Sequence, residues 1–263
     1  MVGILDFLYR ELTTFRGGWH AWYLLALQDV KGRYRRSVIG PFWITLTSMF
    51  FVLGLGLVYS RLLNLDLKEY LPFLACGIIV WTFIVTLVTE GASAIIGSGH
   101  IIKQVNMPIF VHLMRVVFRN IIIFLHSYII LVPLLMWYGY LTLYGFAVSV
   151  LGIGMIVFSL TPLVALLAIL CARYRDVLPM ISSGMQLLFF VTPVMWHPNQ
   201  VAGLESVIKY NFFVYLIDLV RKPMLNGYWP MNSAILVAVI GVALWICAFF
   251  ALYLNRKNIP YWL

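Results

Sequence analysis

The stretch FAVSVLGIGMIVFSLTPLVALLAIL, Phe146 to Leu170, carries no charged side chain. A helix needs ~20 mostly apolar residues to cross the hydrocarbon core of a bilayer, and this run is long enough. Working outward, five more runs share its character: Ile39 to Tyr59, Pro72 to Ile96, Arg119 to Tyr138, Leu178 to Met195 and Met231 to Leu254. Pro133, Pro162, Pro179 and Pro193 fall inside or at the edges of these runs. Membrane helices tolerate them because neighbours satisfy the freed backbone groups. The expected fold is an all-α membrane protein with six transmembrane helices.

Composition points the same way. The chain has 263 residues, 63% hydrophobic and 10% charged, with a mean hydropathy of +0.97. A soluble domain would carry roughly a quarter charged residues, so the excess apolar surface faces lipid. That excludes a soluble enzyme, a secreted disulfide scaffold and a nucleic-acid module. A β-barrel is excluded too, because the runs are continuous rather than alternating. Cys76, Cys171 and Cys247 are odd in number and lack metal-ligand spacing, so they read as small hydrophobes. Asp6, Arg10 and Glu11 interrupt any signal-peptide core.

The net charge of +9 matters through its placement. Six spans put both termini on one side, with thirteen basic residues there and five on the other, namely Arg61, Lys68, Lys209, Arg221 and Lys222. Both termini are therefore expected in the cytoplasm. Residues 1–37 form a cytoplasmic N-terminal segment and residues 38–263 a single transmembrane domain. The outside segment Trp196 to Pro230 contains the run Tyr210 to Ile217, too apolar for a loop and too short to span. It is expected to form re-entrant or interfacial helices before the last span.

Residues 19–36, WHAWYLLALQDVKGRYRR, read as an amphipathic interface helix. At 100° per residue Trp19, Trp22, Tyr23, Ala26, Leu27, Val30 and Tyr34 share a face. Such a helix anchors the first span in the membrane surface. It can equally dock a cytoplasmic subunit or bind an anionic headgroup, with Arg33, Arg35 and Arg36 as donors to a pyrophosphate.

Polar and aromatic stripes mark three spans. Trp43, Thr47, Phe50 and Gly54 share a face of the first, and Ser182, Gln186, Phe189 and Pro193 share one of the fifth, beside Ser183 and Phe190. Thr82, Thr86, Thr89 and Ser93 line the second. Small and hydroxyl residues often pack helices in membranes; polar-plus-aromatic stripes also suit a sugar path. Trp43, Phe50, Tyr59, Phe189, Phe190 and Trp196 are the candidate path-lining residues. Glu90 is the one acid well inside a span, and a lone carboxylate in lipid needs a partner. Arg115 and Arg119, opening the next span, are expected to pair with it, with a proton relay as the alternative.

Absences narrow the class. There is no G-x-x-x-x-G-K-[ST], so the chain does not bind ATP by a P-loop. There is no H-E-x-x-H and no metal-ligand spacing among the five histidines. Gly97-Ser98-Gly99-His100 has the look of a serine-protease turn but no second catalytic histidine placed by a motif. A membrane-embedded enzyme is not expected.

Two blocks carry a family resemblance. One is Gln28-Asp29-Val30-Lys31-Gly32-Arg33-Tyr34-Arg35-Arg36-Ser37-Val38-Ile39-Gly40-Pro41-Phe42-Trp43. The other joins Ala172-Arg173-Tyr174-Arg175-Asp176-Val177 to Gln186-Leu187-Leu188-Phe189-Phe190-Val191-Thr192-Pro193-Val194. Together they resemble the permease subunits of polysaccharide-exporting ABC transporters, and among these the O-antigen (lipopolysaccharide O-chain) exporter. Asn211-Phe212 departs from the Asn-Pro common in relatives.

The resemblance implies a homodimer in the bacterial inner membrane, working with two copies of a separate ATPase subunit that binds ATP and magnesium. The substrate it implies is a glycan on a polyprenyl pyrophosphate lipid. It also implies ATPase contacts through the N-terminal helix, here Gln28 and Asp29, and through the loop after span two, here His100, Lys103 and Gln104. Other readings of the same fold are a permease for capsule, teichoic acid or drugs. A proton-coupled secondary transporter is the reading from another class.

Overall fold

The computed structural model describes residues 19–35, 42–62, 64–105, 107–198, 203 and 205–263. These form helices and turns, with no strand among the described residues. The helices are α1 (Trp19–Tyr34), α2 (Phe42–Leu62), α3 (Leu67–Ala92), α4 (Ala94–Gly97), α5 (Gly99–Gln104), α6 (Ile109–Trp137), α7 (Leu143–Arg173), α8 (Val177–Val191), α9 (Glu205–Tyr210), α10 (Phe212–Asn226), α11 (Met231–Asn255) and α12 (Ile259–Trp262).

Among the described residues α3, α6, α7 and α11 are long and apolar enough to cross a membrane. The described apolar stretch of α2, Leu46–Leu62, is shorter, as is α8. The fifth expected run, Leu178 to Met195, forms the shorter helix α8, which ends at Val191. At 15 residues, α8 reaches roughly 22 Å at 1.5 Å per residue, less than the bilayer core. It stops because Thr192 precedes Pro193 and adopts an extended backbone (φ −88°, ψ 133°). The second span also shifts. Its helix α3 starts at Leu67, where the Asp66 side chain accepts from the Lys68 backbone N–H, and it ends at Ala92. The third starts ten residues earlier than expected, at Ile109 behind Pro108, so Arg115 and Arg119 lie inside α6 rather than at its mouth.

Helix α7 is the centre of the packing, with α11, α10 and α3 against it. Its approach to α10 depends on glycine. A Cβ on Gly152 would lie 2.2 Å from the Leu219 carbonyl oxygen, and one on Gly145 2.3 Å from that of Pro223. Small residues let membrane helices come this close. Val214, Leu216, Ile217, Leu219 and Val220 of α10 are buried in the protein, which accounts for an apolar run too short to span.

Helix α1 packs along α6. Ala26 and Val30 are buried, and Trp22 and Tyr23 meet the Phe118 ring at 5.3 and 5.4 Å between centroids. The apolar face therefore covers another helix of the same chain. The side chains of Trp19 and Tyr34 lie outside the described atoms.

Candidate functional site

A cavity of about 480 Å³ opens between α2, α3 and α8. Phe51, Trp81, Phe189 and Phe190 give it aromatic walls, and Thr82, Thr86 and Gln186 give it polar groups. Trp81 and Phe189 stand 6.0 Å apart, Phe189 and Phe190 5.5 Å. The Thr86 hydroxyl donates to the Thr82 carbonyl at 2.9 Å, so its own acceptor lone pairs can face the cavity. Such a surface stacks flat apolar faces and exchanges hydrogen bonds with hydroxyl groups.

Of the six candidate path aromatics, this cavity brings together Phe189 and Phe190. Trp43 and Phe50 are exposed on α2 outside its lining, at 61% and 66%. Tyr59 packs against the core. Trp196 folds back and donates from Nε1 to the Phe190 carbonyl at 3.2 Å. Sequence reasoning missed Trp81 and Phe51. The spacing Ile78, Trp81, Thr82, Val85 is the helical stripe that signals the first of them.

At one end of the bundle α1, α3 and α6 share an ion-pair network. Arg33 Nη2 donates to Glu90 Oε1 at 2.8 Å, while Arg119 Nη2 and Asn120 Nδ2 donate to Oε2 at 2.9 and 3.0 Å. Arg115 holds Asp29 with a two-pronged grip, Nε to Oδ2 at 2.7 Å and Nη2 to Oδ1 at 2.5 Å. Arg119 Nη1 reaches Asp29 Oδ2 at 3.2 Å, bridging the two carboxylates. Burial alone would raise the Asp29 pKa; the hydrogen bonds and charges of Arg115 and Arg119 outweigh it and hold the carboxyl below its ordinary value.

Arg115, expected beside Glu90, instead pairs with Asp29, while Arg119 pairs with both carboxylates. Arg33 donates to Glu90 through Nη2 and remains 40% exposed. Asp29 faces inward beside the buried Ala26 and Val30, leaving Gln28 exposed. Arg35 is exposed, and Arg36 lies outside the described residues. His100, Lys103 and Gln104 are exposed on α5.

The opposite end has a second polar centre, which sequence reasoning did not single out. Arg221 of α10 is buried and donates to the Pro193 and Val194 carbonyls at 2.8 Å each. Its guanidinium lies 3.8 Å over the Phe73 ring, and His197 stacks on Phe73 at 3.8 Å. Tyr70 donates to the Met195 carbonyl at 2.8 Å, and Asn211 Nδ2 to the Thr192 hydroxyl at 2.9 Å. The turn that ends α8 is thereby tied to α3 and α10. Burial, and then the Arg221 charge, lower the pKa of His197 against the opposing pull of Glu69.

Four helices long and apolar enough to cross a bilayer, among the described residues, mark a multi-pass membrane protein. The chain belongs to the ABC-2 type transporter family, whose profile matches residues 20–225. It is similar to two proteins named O-antigen export system permease protein RfbA from Klebsiella pneumoniae. One is 23% identical over 224 residues, covering 83% of this chain and 85% of the relative. The other is 23% identical over 203 residues, covering 76% and 78%. A protein of the same name from Myxococcus xanthus is 29% identical over 192 residues, 72% of each chain.

Proposed function

We propose that this chain is the membrane half of an ATP-driven exporter of lipid-linked polysaccharide, O-antigen in type. The carrying observation is the cavity between α2, α3 and α8, where Trp81, Phe189 and Phe190 stand beside Thr82, Thr86 and Gln186. Stacking on ring faces tolerates many sugars, as a sliding polymer requires. The names of the relatives support this substrate class.

In this reading two copies face each other in the bacterial inner membrane with both termini cytoplasmic, and six segments, α2 and α8 included, serve as spans. Each copy works with one of two ATPase subunits, which bind the ATP and magnesium. Gln28 on α1 and His100, Lys103 and Gln104 on α5 are the proposed contacts, being exposed at one end of the bundle. Arg33, Arg35 and Arg36 attract the lipid pyrophosphate of the glycan carrier. Trp43 and Phe50, exposed on α2, extend the aromatic surface toward the second copy.

Glu90 argues against the proton-coupled alternative. Two guanidiniums and an amide donate to it, which is how a structural anion is held. The test is deletion of the gene followed by analysis of the lipid fraction. A polyprenyl-pyrophosphate-linked polysaccharide should accumulate inside the cell, and Phe189→Ala should reduce export at normal protein levels. Accumulation of another compound class, with no lipid-linked glycan, contradicts the proposal.

A further inference from the structure

A second cavity, of about 540 Å³, lies at the end of the bundle away from α1. Its size is within the range of small-molecule sites, about 300–1,000 Å³. One wall is a face of α10, where Asp218, Lys222 and Asn226 recur every fourth residue. Facing it are Glu69 from the first turn of α3 and Lys209 from α9. Tyr140, from the turn between α6 and α7, and His197 complete the rim. In this wall Arg221 and His197 each lie 3.8 Å from the Phe73 ring, which is buried, so the ring of His197 is the layer nearest the rim.

The chemistry of this lining is mixed in a specific way. Carboxylates accept, ammonium groups donate, and Asn226 does both. Lys222 and Asp218 neutralise each other at 2.6 Å, so neither sign of charge dominates. A lipid tail would desolvate these groups without replacing their hydrogen bonds. A simple anion would meet Glu69 and Asp218, and a cation would meet Arg221 and Lys209. A polyol supplies donors and acceptors together on one ring and an apolar face for the aromatic groups. The wall at Pro193 lies four residues beyond Phe189 in the chain, so the two cavities share the segment that Arg221 anchors.

We propose that this cavity is a carbohydrate subsite holding one or two sugar residues of the polymer as it leaves the bundle. The inference rests on the export reading above, which places this end outside the cytoplasm. A polymer held here after each step resists sliding back while the path resets.

The test measures binding to the full chain in lipid nanodiscs. The probe is the polysaccharide released by mild acid from the envelope of cells that make this protein, labelled at its reducing end. Wild-type protein should bind it, and Asn226→Ala and Tyr140→Ala should each weaken binding about five- to ten-fold. Tyr140→Phe keeps the ring and should weaken it less. Val239→Ala, on the exposed face of α11, should change nothing.

No binding by wild type, or equal binding by the cavity variants, overturns the subsite. Displacement by inorganic phosphate but not by excess unlabelled polysaccharide assigns the cavity to an anion and also overturns it. ATP-dependent export by wild-type protein, measured alongside, separates that failure from failure of the export reading.

Discussion

Glu90 and Asp29 each carry charge that other helices must match. Replacing Glu90 with Ala leaves Arg33 and Arg119 without their shared acceptor. Hydrogen bonds to charged groups contribute about 1.5–3 kcal/mol, so Glu90→Ala should destabilise by about 2 kcal/mol, read as a lower Tm in detergent. Glu90→Gln should recover part of that loss. Asp29 gives the pH dependence. Its folded-state pKa lies below the ordinary 3.8, so its stabilisation is present above 3.8 and is lost as the pH falls from there through the lower folded-state pKa. The wild-type Tm should therefore drop as the pH falls below 3.8, and Asp29→Asn should flatten that limb. A wild-type curve parallel to that of Asp29→Asn would contradict the network geometry.

At the scale of elements, the end of α8 depends on how close α3 and α10 can come. A Cβ on Gly77 of α3 would sit 2.1 Å from Arg221 Nη2 and 2.5 Å from the Val194 carbonyl oxygen. Gly77→Ala should destabilise by about 1–3 kcal/mol. Gly154→Ala, in α7 where nothing lies within 4 Å, should be neutral or slightly stabilising by helix propensity. Paired melting curves of the two variants check this; equal shifts would remove the proposed constraint. Arg221→Lys keeps the charge but loses the planar fork that serves two carbonyls, so it should fall between wild type and Arg221→Met in stability.

The whole molecule shows which features local sequence can reveal. Four long apolar helices were legible because each states its own hydrophobicity. The stop after Val191 was also written locally, in Thr192-Pro193, but the surrounding apolar run hid it. The early start of α6 was not legible. Arg115 and Arg119 read as the mouth of a span facing Glu90, and only the packing of α1 on α6 brings Asp29 to them. Arg221 was invisible for the same reason, since its acceptors are backbone carbonyls that only folding places there. Of the candidate path residues, Phe189 and Phe190 came from a stripe on one helix, whereas Trp81 joins them only through the packing of α3 on α8.

We propose that a separate ATPase drives polysaccharide along a path this chain forms. Polymer transfer across proteoliposomes that contain this protein, with and without the ATPase subunit and ATP, tests this. Lipid-linked glycan should cross only when both are present, with reduced flux in Phe189→Ala. Uphill transfer by this chain alone, driven by a proton gradient and indifferent to ATP, would contradict it.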